Sequence, residues 1–268
     1  MKLIRFVAED SNNYFGVVDT PGDKTARIIQ GDTFDSISVT DDRKTIVNYL
    51  PPVMPPNIIG IGLNYAEHAE ETGIQRPEIP VMFLKGTNTV NGHLAPIVLP
   101  QAGPDEVDFE GELAIVIGKA ARNISPADAM DCILGYCCAN DVSARDWQIR
   151  KQKQQWARGK SFDTFCPIGP FLVTRDEIPE PGKLAIRTEV NGTVYQESDT
   201  SDMIFDIPAL VSHLSQSMTL LPGTVILTGT PAGVGFTRQP PVFLKDGDRV
   251  TVTIEGIGTL SNPVILEK

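Results

Sequence analysis

The chain has 268 residues, with 34 acidic and 23 basic side chains and a net charge of -11, which argues against nucleic acid or an anionic membrane as the main partner. Its length supports a substantial core, as one large domain or one domain with a small appendage. Gly 23 and Pro 21 point to many short strands and turns, and no apolar run approaches the length of a membrane span.

Met1–Phe6 lacks the long apolar core of a signal peptide. Residues 1–50 carry short β-patterned pieces, Leu3–Val7, Tyr14–Val18 and Ala26–Ile29, and read as a small β-rich N-terminal domain. Residues 51–56 hold four prolines and read as a stiff extended linker, so a main domain is expected over 57–268. It opens with the buried-strand pattern Ile58–Leu63. Asn64 is placed to cap a short helix that Gly73 stops. His68 and Glu71 lie three apart on that helix and share a face, so they are either a carboxylate-oriented general base or a solvated acidic surface. Gly60 and Gly62 lack the third glycine of a dinucleotide fingerprint. Lys85 ends the next strand, as a buried ligand group or as edge protection.

Val107–Gly118 begins in acid and ends in an apolar β-branched run. On one strand Asp108, Glu110 and Glu112 share a face, with the Cα atoms of the two glutamates about 6.6 Å apart. Carboxylates so close either protonate or call in a cation, and oxygen-only ligation favours a hard divalent ion; a charged edge strand is the alternative. Ser125 and Pro126 mark a helix start, with Gly135 ending it. Tyr136–Ala139 is an apolar strand leading to Asn140 and Asp141, whose carboxylate can meet Glu110 and Glu112. Cys132, Cys137, Cys138 and Cys166 have no metal-finger spacing and read as reduced core residues of a cytoplasmic protein, Cys137 and Cys138 facing opposite sides.

Arg145 suits a substrate carboxylate or an internal ion pair, and Gln148 follows at the same three-residue interval. The basic run Arg150, Lys151, Lys153 and Arg158 reads as a solvated face, whereas Lys160 leads into an apolar segment. Asn191-Gly192 signals a hairpin, Asp206–Met218 is an amphipathic helix, and Thr224–Thr228 is a buried strand opening into a loop with Gly229, Gly233 and Gly235, suited to close backbone approach.

Five blocks in order, Gly62–Glu71, Val107–Leu113, Asn140–Gln148, Lys160–Pro167 and Thr228–Gly235, resemble the fumarylacetoacetate hydrolase superfamily, nearest its hydrolase domain-containing branch. The resemblance implies a mostly β fold with short helices (α+β), a mixed β-sandwich or roll, and a homodimer. It implies that Glu110, Glu112 and Asp141 hold Mg2+ or Mn2+, that His68, Glu71 and Lys160 are catalytic, and that Tyr65, Arg145, Gln148 and Thr230 bind substrate. Thr224 stands where the family has an aspartate. The implied activity is metal-dependent hydrolysis of a carbon–carbon bond in acylpyruvates or related 2-oxo acids, His68 and Glu71 activating water and the leaving carbon becoming an enolate. Oxaloacetate decarboxylation or 2-hydroxy-dienedioate isomerisation is the alternative on the same residues, and a non-catalytic oxo-acid binding protein ranks below both.

Overall fold

The computed structural model describes residues 1–268. The chain begins with β1 (Lys2–Ala8), β2 (Asn13–Val18), β3 (Thr25–Gly31) and β4 (Ile37–Leu50), followed by β5 (Ile58–Gly62), α1 (Ala66–Thr72) and β6 (Val81–Lys85). Short strands β7 (Val90–Asn91), β8 (Ile97–Leu99) and β9 (Val107–Asp108) lead to β10 (Gly111–Ile117), α2 (Pro126–Ala129), β11 (Ile133–Asn140) and β12 (Ser143–Ala144). After α3 (Trp156–Gly159) come β13 (Cys166–Thr174), β14 (Ala185–Val190), β15 (Thr193–Asp199), α4 (Ile207–Ser217), β16 (Val225–Leu227), β17 (Arg249–Ile254) and β18 (Gly258–Leu266). The fold is mostly β with short helices, as expected.

Eleven strands form the main sheet, running β2-β3-β4-β1-β13-β11-β10-β16-β5-β6, with β7 beside β13. A five-stranded sheet, β15-β14-β17-β18-β8, packs against it. The N-terminal strands are therefore continuous with the main sheet through the β1–β13 pairing and form no separate sheet. Strand β4 was not anticipated, because its charge-rich sequence lacks a period-two apolar pattern.

Alternation along β10 and β11 sorts side chains between two cores. Leu113, Ile115, Ile117 and Cys138 enter the larger, which also takes the apolar stripe Ile207, Leu210, Val211 and Leu214 of α4. Ala114, Val116, Cys137 and Ala139 enter the smaller one on the opposite face. Burying each large aliphatic side chain of that stripe contributes about 1.5–3 kcal/mol, and Asp206 fixes the helix start by accepting from the Ala209 N–H at 2.9 Å. Asn191 and Gly192 take positive φ of 53° and 79°, turning β14 into β15 as the dipeptide signalled. Two local expectations fail. Gly135 lies within β11, the preceding helix having ended at Ala129 with a 3-10 turn over Met130–Cys132. Asn64 does not cap α1; its amide bridges Phe205 and Thr228, and Tyr65 takes the cap position.

Candidate active site and metal centre

Glu112 pairs across the sheet with Ala139 and shares the face of Ala114 and Val116. Asp141, two residues past Ala139, reaches the same side. Glu110 comes from a break between β9 and β10, not from one continuous strand, and its backbone is locked to the end of β11. Its N–H donates to Asn140 Oδ1 at 3.0 Å and its carbonyl accepts from the Asp141 N–H at 2.8 Å. The Gly111 between the glutamates is sterically required, since a Cβ there would stand 1.9 Å from Thr188 Oγ1. One oxygen from each of Glu110, Glu112 and Asp141 lies within 4.8 Å of the others, and all three residues are buried.

Three cations enter this acid cluster. Lys160 Nζ donates to Glu110 Oε2 at 2.9 Å, Asp141 Oδ2 at 2.7 Å and Ser143 Oγ at 2.8 Å. Lys85 Nζ donates to Asp141 Oδ1 at 2.5 Å. Arg145 donates from Nε to Asp108 Oδ2 at 2.9 Å and from Nη1 to Glu110 Oε1 at 2.6 Å and Gln148 Oε1 at 2.8 Å. Asp108 also accepts from the N–H groups of Gly235 and Phe236. Four buried carboxylates thus meet three cations, and Glu112 is the one left over, accepting only from the Gly229 N–H at 2.7 Å.

The electrostatics follow from that count. Burial, then the nearby Asp141 and Glu110 charges, push the Glu112 carboxyl well above its ordinary range. Burial acts on Glu110 in the same direction, but Lys160 and Arg145 outweigh it and hold Glu110 below the usual range. Burial opposes the charges on Lys160 and Arg145, yet their carboxylate partners raise both above their ordinary values. An oxygen-only set with one carboxyl group more than its cations match, ready to exchange a proton for an ion, fits a hard divalent cation such as Mg2+ or Mn2+.

His68 approaches from α1. Its Nδ1 lies 2.7 Å from Glu71 Oε1. Burial raises the Glu71 pKa, but donors from His68, the Gly233 N–H and Thr237 Oγ1 outweigh it and keep the carboxyl below its ordinary value. An ionised Glu71 takes the Nδ1 proton of neutral imidazole as its partner, which leaves Nε2 as the free basic nitrogen. The glycine-rich loop after β16 anchors these acids. Gly229, Gly233 and Gly235 donate to Glu112, Glu71 and Asp108, so the close backbone approach serves the protein's own carboxylates. Gly233 has φ 104°, and a Cβ there would meet the Tyr195 carbonyl oxygen at 2.1 Å.

Residues 57–265 match the family described as fumarylacetoacetate (FAA) hydrolase, C-terminal. The chain belongs to the fumarylacetoacetate hydrolase family. Residues 1–44 match a second description, Rv2993c-like, N-terminal. Among curated relatives, the mitochondrial oxaloacetate tautomerase fahd2 of Xenopus laevis is 49% identical over 223 residues, covering 83% of this chain and 70% of that protein. A 2-hydroxyhepta-2,4-diene-1,7-dioate isomerase from Mycobacterium marinum superposes with a TM-score of 0.86 at 44% identity, covering 100% of this chain and 99% of that one. A 5-carboxymethyl-2-hydroxymuconate delta-isomerase from Mycobacterium smegmatis gives a TM-score of 0.88 at 43% identity, covering 100% of both chains.

In this family member, His68, Arg145, Gln148, Lys160, Thr230 and Glu110 all line one cavity of about 240 Å³. Glu71 stands behind His68. Two sequence expectations need correcting. Tyr65, expected to bind substrate, is fully buried and does not line the cavity; its hydroxyl has no hydrogen-bond partner. Asp108, expected to extend the acid row, is diverted to Arg145 and to two backbone N–H groups. Arg145 takes the internal ion pair of its two readings, with Asp108 and Glu110 and not the adjacent Asp146. Lys85 is buried beside Asp141, not edge protection. Ser143 and Gln196 were missed. Gln196 braces the site by accepting from the Gly111 N–H and donating to Thr230 Oγ1, and its place within an ordinary hairpin strand carried no signal. Thr224 is buried in the turn before β16 and does not line the cavity. No helix is long and apolar enough to cross a membrane.

Proposed function

We propose that this protein is a divalent-metal-dependent tautomerase or isomerase that moves a proton between oxygen and carbon in enolisable 2-oxo acids. The observation that carries this reading is that one cavity is lined both by His68, its Nδ1 held by Glu71, and by Glu110, the outermost member of the buried Glu110, Glu112 and Asp141 set. The three activities named above, oxaloacetate tautomerase, dienedioate isomerase and hydroxymuconate delta-isomerase, are all isomerisations, although a fumarylacetoacetate hydrolase from Exiguobacterium antarcticum is also similar, at 36% identity. They support the isomerising alternative from the sequence over carbon–carbon hydrolysis, although oxaloacetate tautomerisation itself was not among the sequence expectations.

Glu110, Glu112 and Asp141 would hold Mg2+ or Mn2+, which when bound supplies Lewis-acid polarisation to the substrate oxygens. The other steps belong to side chains. Glu71 orients His68 and stabilises its positive charge when Nε2 takes a proton. Lys160 and Arg145 draw the anionic end of the acid toward the cavity floor, and Gln148 and Thr230 orient it. The reaction consumes no water, and His68 needs only to carry a proton from one substrate atom to another. A homodimer and a cytoplasmic address belong to the same proposal, and gel filtration with light scattering tests the first.

Following the ultraviolet decay of enol-oxaloacetate with Mg2+, Mn2+ or chelator tests the reading. The wild type should accelerate the conversion with metal, and His68→Ala should lose roughly 10²-fold to 10⁴-fold of that acceleration. Release of pyruvate from oxaloacetate, or of acetate from acetylpyruvate, faster than tautomerisation would overturn it in favour of decarboxylation or hydrolysis.

A further inference from the structure

The cavity is charged on one side only. Among its lining residues the positive groups are Arg145, Lys160 and a chargeable His68, and the first two are held by Asp108, Glu110 and Asp141. Beyond Lys160 the wall changes character. Lys160 Nζ lies 5.0 Å over the centre of the Phe83 ring, and Trp156 meets Phe83 edge-on with centroids 5.9 Å apart. Ile61, Leu63, Ile74 and Ile149 continue this uncharged lining. Ile74 and Ile149 are 50% and 37% exposed, so two large aliphatic side chains stand open to solvent at a cavity they help to form. A substrate chain running from the charged floor along Phe83 and Trp156 meets no cation at its far end. A carboxylate there would lose hydration without gaining a partner, whereas an aromatic or branched apolar group would gain burial and ring contacts.

We propose that the cavity accepts enols of pyruvates bearing an aromatic or branched apolar substituent on the third carbon, and disfavours long chains ending in a second carboxylate. The proposal rests on the tautomerase reading above and names the substrate class of that site. In the reaction the enol O–H bond breaks and its electron pair forms the C2 carbonyl, while the C2–C3 π pair takes a proton at C3. His68 Nε2 carries the proton between the two positions, so atoms balance and no co-reactant is consumed. Phe83 and Trp156 act as specificity residues, touching the substituent and not the reacting atoms.

The test compares three probes at saturating Mn2+: the enols of phenylpyruvate, of oxaloacetate, and of a six- or seven-carbon 2-oxo diacid. Phenylpyruvate should exceed the long diacid in kcat/KM by at least about tenfold. Trp156→Leu should raise KM for phenylpyruvate more than it changes kcat. Ile149→Arg, which places a cation at the mouth, should shift the ratio of long diacid to phenylpyruvate by a similar factor toward the diacid. Turnover of oxaloacetate without phenylpyruvate, or a preference for the long diacid, would overturn the proposal and leave the tautomerase reading standing. Turnover of none of the three would overturn both.

Discussion

On the N-terminal strands Asp19 accepts from Arg27 and Arg43, and Asp10 from Tyr14 and Lys44, all at the exposed surface. Beneath the cavity the same side-chain types, Asp108, Glu110, Asp141, Lys85, Arg145 and Lys160, are buried. Distances barely differ between the two regions: Arg27–Asp19 is 2.7 Å and Arg145–Asp108 is 2.7 Å. What differs is the alternative open to each group. A surface carboxylate that loses its partner returns to water, whereas a buried one cannot. The surface pairs are therefore nearly dispensable. The buried network is costly to break, and it is assembled with one carboxylate more than its cations can match. On the function proposed above, that surplus is the ligand for a divalent cation, which would separate a site from a stabilising ion-pair cluster.

The largest effect should come from breaking the network while leaving a charge behind. Asp108→Ala removes one of the two carboxylates that hold Arg145 and leaves the N–H groups of Gly235 and Phe236 without an acceptor, and should cost about 3–5 kcal/mol in chemical denaturation. A loss comparable to that of a surface substitution would mean that water reaches this region.

His93 stands between the two regimes. Its half-buried ring accepts the Ser261 N–H on Nδ1 and meets Tyr49 edge-on, and burial, helped by Arg249, lowers its pKa from 6.5 to about 4. The unfolded chain then binds more protons than the folded one between those values, so stability should fall as pH drops from 6.5 toward 4. His93→Gln, which keeps an acceptor, should flatten that slope. The histidine ring should show no protonation shift by NMR until near pH 4. Titration at an ordinary histidine value would show the ring to be hydrated.

The smallest effect should come from Asp19→Ala. Although Asp19 contacts two arginines, its melting temperature at moderate salt should match the wild type within error. A clear drop would show that the surface pairs act as a network.

Legibility in the sequence followed the same division. Continuous apolar runs exposed β10 and β11, because burial on both faces leaves no polar positions to interrupt them, and the alternation of side chains along a strand correctly sent Cys137 and Cys138 to opposite cores. The charge-rich β4 has no such pattern and went unread. The short interval from His68 to Glu71 was readable because local spacing decides contact within one helical turn. The partners of the acids were not. Lys85 stands 56 residues from Asp141 and Arg145 stands 37 from Asp108, and only the sheet order joins them. Tyr65 misled for the opposite reason. It adjoins the dyad in sequence, yet its position at the start of α1 turns the ring into the protein.

The role of Glu112 as the carboxyl group its neighbours leave unmatched is tested most directly by calorimetric titration of the metal-stripped protein with Mn2+ and Mg2+, wild type beside Glu112→Gln. Because the folded Glu112 carboxyl lies above its unfolded value, the metal-free wild type should lose stability as pH rises through and above the ordinary glutamate range, and the isosteric amide should not. The account predicts that wild type binds a single ion and gains melting temperature on binding. Glu112→Gln should bind it at least tenfold more weakly, by roughly 1.4 kcal/mol or more, and without metal should be no less stable than wild type at neutral pH. Equal metal affinity in the two proteins, or a metal-free Glu112→Gln clearly less stable than wild type, would contradict it.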